Sequence, residues 1–135
     1  MKAIPVKIRK QIANLADAIA DKGQLVLTAV AAFNAAQSDA TRAGLEQARL
    51  AYNADLAALR KIYNGLPTDA QVYFDERSEG WQLGDHGSYY EEWANALGEF
   101  ANALEDAELK AFAATAPITE PELFDSELPS DEPEW

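Results

Sequence analysis

Cysteine is absent from the chain, and histidine occurs once, as His86. The first absence excludes disulfides, thiolate metal sites and cysteine nucleophiles, and points to a reducing compartment. The second nearly removes the constellations in which a histidine base is held against a nucleophile. Glycine is scarce, at seven residues, and GDHG around His86 has neither the preceding strand nor the lysine of a phosphate loop. It reads as a polar connector. No apolar run is long enough to span a membrane, and MKAIPVKIRKQIANLADAIA meets Asp17 and Asp21 too early for a signal peptide. A cytoplasmic, non-enzymatic protein is expected, with no catalytic residue, cofactor, metal or membrane partner.

Basic residues are also unevenly withheld. Residues 1–64 hold nine Lys/Arg and five Asp/Glu, whereas residues 65–135 hold two and eighteen, giving formal charges of +4 and −16. Phosphate neutralisation by Lys and Arg supplies most non-specific affinity for nucleic acid, so the acidic half is repelled by it. Direct nucleic-acid binding is not expected; a basic surface of a protein or ribonucleoprotein complex is the expected partner.

What the chain has in quantity is alanine and apolar residues, 48% of 135 residues. Alanine favours helices and is poor in strands, so an all-α fold is expected. A first helix starts near Ile4-Pro5 and carries Ile8, Ile12, Leu15 and Ile19 on one face. Gly23 either stops it or interrupts it before Gln24 to Ala36. Ser38-Asp39 starts a second helix with a stripe at Leu45, Arg49, Tyr52, Leu56, Leu59 and Tyr63, ending at Asn64-Gly65-Leu66-Pro67. These two regions read as a long antiparallel hairpin. A short third helix is expected over residues 70–79, capped by Thr68 or Asp69. Ser88, with Glu91 completing a capping box, opens a last helix reaching about Ala113. Its stripe of Tyr90, Trp93, Leu97, Phe100 and Leu104 is the strongest local pattern in the chain.

The expected organisation is a helical domain over residues 1–116, followed by a disordered acidic tail over 117–135. PITEPELFDSELPSDEPEW has four prolines, seven acids and no basic residue. Ile118, Leu123, Phe124, Leu128 and Trp135 are nevertheless spread through it, a pattern that also suits docking in a basic, apolar groove.

Function is expected on the acidic outer flank of residues 72–106. Trp81 and Tyr89 lie off the stripe and read as exposed anchors, since Trp and Tyr dominate interface hot spots. The opposite face of the last helix carries Glu92, Glu99 and Asp106, and Asp75, Glu76 and Glu79 precede it. These eight residues are the candidate partner-binding set. Asp75, Glu76, Glu79, Glu91 and Glu92 could converge as paired carboxylates, but without a histidine or a fixed geometry they read as acidic surface. The last helix by itself imitates duplex DNA poorly: seven acids over residues 85–108 span ~35 Å, or ~5 Å per charge, against about 1.7 Å in the duplex.

Small size, helical pattern, absence of cysteine and strong acidity together resemble the anti-defence proteins of phages and plasmids, anti-CRISPR and anti-restriction inhibitors among them. The likeness is one of composition and carries no motif. It implies inhibition of a nucleic-acid-handling complex in a bacterial host cell by occupation of its basic surface. Adding the acids of the third helix and the tail to those of the last helix makes mimicry of a nucleic-acid track more credible. The terminus DSELPSDEPEW is similar in style to the acidic tails of single-stranded-DNA-binding proteins, which implies instead an adaptor recruiting replication or repair partners. Heptad-spaced faces also suit a phage or plasmid assembly factor that forms a homo-oligomer.

Overall fold

The computed structural model describes residues 1–134. Trp135, the last of the large apolar groups in the C-terminal segment, lies outside the described residues. Four helices form, α1 (Val6–Ala35), α2 (Asp39–Asp75), α3 (Glu79–Leu83) and α4 (Asp85–Asp106), and there is no strand among the described residues. The fold is all-helical. α2 packs against both α1 and α4, and α3 packs on α4. Besides their shared core, α1 and α2 are tied by Lys22, which bonds Asp55 at 2.8 Å, and by the Arg42 guanidinium, which lies over the Phe33 ring.

The stripes read from sequence are the faces that become buried. Ile12 and Ile19 of α1, Leu45, Tyr52, Leu56, Leu59 and Tyr63 of α2, and all five stripe residues of α4 belong to one core. The boundaries differ, because tertiary contacts override local signals at each. α1 runs unbroken through Gly23, which is buried. A Cβ there would stand 3.0 Å from Leu123 Cδ1 of the C-terminal segment, so this glycine makes room for a side chain rather than ending a helix. α2 continues past Pro67 to Asp75, absorbing the expected third helix with Thr68 and Asp69 inside it. Proline in a helix interior costs about 3 kcal/mol. Burial of Leu66 before it and Ala70 beyond it, with Tyr73 stacked on Tyr90 at 5.1 Å, opposes that cost.

The last helix starts earlier and ends sooner than expected. Gly84 stands at its N-terminus, and Ser88, read as a cap, lies one turn inside, its amide donating to Gly84 O at 3.2 Å. His86 is therefore in the first helical turn and not in a loop, its ring parallel to that of Trp81 at 6.5 Å. At the other end Asn53 takes over the backbone of Leu109: its Oδ1 accepts from Leu109 N and its Nδ2 donates to Leu109 O, both at 2.8 Å. Arg49 also donates to Leu109 O, at 3.0 Å. These bonds replace the helical ones that would have carried α4 to Ala113.

From there the chain does not behave as a disordered tail. Residues 107–134, here called the strap, follow α2 toward the α1–α2 connection and turn back at Ala116-Pro117, a cis peptide bond. They then run antiparallel to α1 and α4. Arg42 donates to Ala114 O, and Asn34 grips Ile118 as Asn53 grips Leu109, accepting from its amide at 2.7 Å and donating to its carbonyl at 2.9 Å. Leu123 meets Gly23, Phe124 packs edge-on against Phe100 at 5.5 Å, and Phe124 N donates to the Tyr52 hydroxyl at 2.8 Å. Trp93 Nε1 donates to Ser130 O and Ile4 N to Asp131 O, both at 2.8 Å. Ile118 is buried in the common core. The strap bridges α1 and α4 and is an integral layer of the fold.

Candidate binding surface

The strap seats itself against tyrosines, and it does so with acids close by. Burial pushes the Tyr63 hydroxyl up to about 12, helped by the negative charge of Asp131. Burial likewise raises Tyr90 to about 12, with Tyr73 adding to it, and raises Tyr52, against the Phe124 amide that favours its ionised form. A tyrosine whose folded pKa lies above its unfolded value stabilises the fold fully below the unfolded pKa, near 10, and loses that stabilisation as pH rises toward the folded value. Stability to urea is therefore expected to hold up to about pH 9 and to fall by a few kcal/mol between about pH 10 and 12. Denaturation curves followed by circular dichroism at stepped pH would check this; a flat profile through pH 11 would contradict it.

The eight candidate residues separate into three groups. Trp81 is not an exposed anchor. It is half-buried among Tyr73, Phe74 and Tyr90, with ring centroids 5.8 to 6.1 Å away, because α3 folds back and sets it over the end of the core. Asp75, Glu76 and Glu79 are exposed around the corner between α2 and α3, at the end of the molecule where α4 begins. Asp75 accepts from Gln71, and Glu76 lies 3.9 Å from Arg77. Tyr89, at 42% exposure, stays on the surface as expected.

Glu92, Glu99 and Asp106 form the third group. They are exposed on α4 at seven-residue intervals, which drift only ~20° per step and so line one flank over ~21 Å. Among the described residues none of the three is in a salt bridge, whereas Glu105 on the next flank bonds Arg60 of α2 at 2.9 Å.

The strap adds a second wall that sequence reasoning did not place. Near the end of α4, Asp106 faces Glu108, Glu122 and Asp125 across a depression of about 390 Å³. Toward its beginning, Glu92 shares a cleft of about 200 Å³ with Glu132 and Glu134. Glu99 stands between the two. Carboxylates of helix and strap therefore border one track. The signal that could have disclosed it is the set of polar groups, Asn34, Asn53 and Trp93, placed along apolar faces where they had no partner in their own helices.

Basic groups concentrate at the start of the chain, where one of them meets the end of the strap. Lys2, Lys7, Arg9 and Lys10 are exposed at the start of the chain, with Arg9 3.9 Å from Asp131. Both side chains of that pair are largely in solvent, so it contributes little. Among the described residues no group of three or more His, Asp or Glu is close enough to hold a metal ion, and no helix is long and apolar enough to cross a membrane.

No family model, curated protein or solved structure matches this chain. Its functional reading thus rests on its own surface.

Proposed function

We propose that the protein is a non-enzymatic acidic binder that occupies a basic surface of a nucleic-acid-handling complex, acting as an anti-defence inhibitor carried by a mobile element and imitating a nucleic-acid track. The observation that carries this reading is the two-walled row of carboxylates. Glu92, Glu99 and Asp106 on α4 with Glu122, Asp125, Glu132 and Glu134 on the strap place seven charges within ~21 Å of helix axis, or ~3 Å per charge. Duplex DNA carries one per about 1.7 Å. On the same interval the α4 flank alone supplies three of the seven, or ~7 Å per charge, so the docked strap more than doubles the linear density. Asp75, Glu76 and Glu79 extend the acidic surface at one end.

An adaptor that recruits partners through a free tail fits less well. The apolar groups such an adaptor would offer, Ile118, Leu123 and Phe124, are spent on the protein's own core.

The test uses the full chain carrying Glu92→Lys, Glu99→Lys and Asp106→Lys as bait beside the parent chain in a bacterial lysate. Nucleic-acid-binding proteins captured by the parent are expected to be lost by the variant and displaced by duplex DNA. For a captured partner, affinity is expected to drop by at least tenfold at low ionic strength, and by less as salt screens the charges. Equal affinity of variant and parent would sink the electrostatic reading.

A further inference from the structure

The cleft between the first half of α4 and the end of the strap has a character that the rest of the acidic track lacks. Its floor and sides are apolar, made by Tyr89, Trp93 and Ala96 from α4 and Pro129 from the strap. Its rim is acidic, with Glu92 on one wall and Glu132 and Glu134 on the other. The lining is held by fixed contacts: Trp93 Nε1 is committed to Ser130 O, and Ser130 Oγ donates to Glu132 O at 2.7 Å. Ala96 contributes only a methyl group to the lining, and Tyr89 is half-exposed beside it.

Size and charge restrict what can enter. A volume of about 200 Å³ is below the ~300–1,000 Å³ of pockets that take whole small molecules, so a nucleotide or cofactor is too large. Three carboxylates, with no cation among the described residues of the lining, repel phosphate. An apolar floor under an acidic rim instead suits a group with an aliphatic stem and a cationic head, as Lys and Arg side chains have. Of these two, the planar guanidinium stacks on an aromatic face such as Tyr89 and bonds a carboxylate through two parallel N–H groups, which an ammonium does not do.

We propose that this cleft seats a single arginine side chain projecting from the partner's basic surface, and so acts as the anchoring point of the track. This rests on the reading of a basic partner given above and deepens it: the flanking carboxylates attract, whereas the cleft selects arginine over lysine and over bare positive charge.

The experiment titrates isotope-labelled full-length chain with N-acetyl-arginine amide, and separately with N-acetyl-lysine amide, following the Trp93 indole N–H and the Tyr89 amide by NMR. Saturable shifts confined to the cleft are expected with the arginine probe, at an affinity at least threefold tighter than with lysine. Ala96→Leu fills the floor from an exposed helical position and leaves every charge in place; it is expected to weaken arginine binding at least fivefold. If that variant does not melt like the parent chain, Glu132→Gln serves in its place, with a loss of at least twofold. Equal affinity for the two amides, linear shifts without saturation, or an Ala96→Leu chain that titrates like the parent would each overturn the proposal. So would shifts of the same signals that grow with protein concentration alone, because a second copy of the chain would then be the occupant. The two readings fail separately: a captured partner retained by Ala96→Leu but lost on charge reversal removes the arginine seat and leaves the acidic track standing.

Discussion

A chain ending at Ala116 is expected to lose about 5 kcal/mol of stability, and with it most of its cooperative unfolding. The removed residues include Ile118, buried in the core, and Leu123 and Phe124, packed against it. Fully burying one such side chain contributes about 1.5–3 kcal/mol, and a whole domain retains only about 5–15 kcal/mol. Truncation also uncovers Tyr52, Trp93 and Phe100 and leaves the Asn34 and Trp93 polar groups without their backbone partners. At roughly 4 °C per kcal/mol for a chain of this size, the melting temperature should fall by about 20 °C. Thermal unfolding followed by circular dichroism measures this directly, and melting within a few degrees of the full chain would show the strap to be dispensable. The same expectation governs how binding data are read. Loss of a partner on truncation reports the collapse of the acidic track as a whole, so the strap's own contribution is better measured by neutralising Glu122, Asp125, Glu132 and Glu134 singly.

Gly87→Ala is expected to be the most damaging of the glycine-to-alanine changes, at about 3 kcal/mol. Gly87 is buried where α3 folds back on the start of α4. A Cβ at that position would fall inside contact distance of Gln82 O and 2.7 Å from Trp81 O. Both are backbone atoms and cannot rotate away, so α3 must move. Its displacement would take Trp81 off Tyr73 and Tyr90 and break the bonds from Gln82 Nε2 to Phe74 O and Arg77 O. Overpacking in ordered cores typically costs about 1–3 kcal/mol, and the added loss of aromatic contacts puts this site at the upper end. The measurement is urea unfolding together with the tryptophan fluorescence of the native state. Gly65→Ala is the control: a Cβ there meets open space inside a helix, so it is expected to be neutral or stabilising by up to about 1 kcal/mol. Equal stability of the two variants would show that the α3–α4 corner is not tightly packed.

Gly87 also shows where local reading stops. GDHG looks like a flexible connector because glycine and polar residues favour turns, yet the segment is a helix start whose glycine is needed for close backbone approach. Pro67 gives the same lesson from the opposite side. Asn-Gly-Leu-Pro is a stop signal in an isolated helix, but Leu66 and Ala70 on either side of the proline bury against the core and carry the helix through. Trp81 lies off the stripe yet is half-buried, because the surface that covers it comes from α2 and α4 by way of a fold-back that periodicity cannot show.

The sequence by itself determined the helical class, the apolar faces of the three long helices, the imbalance of charge between its halves and the exposure of Glu92, Glu99 and Asp106. All of these depend on spacing within one element, where 3.6 residues per turn decides which side chains share a face. Only the tertiary structure decided where the last 28 described residues go. An extended segment has no period of its own, and its place depends on Asn34, Asn53, Tyr52 and Trp93, which lie between 37 and 84 residues away from their partners along the chain. Once seated, it turns a single row of acids on α4 into a track with two walls and a cleft.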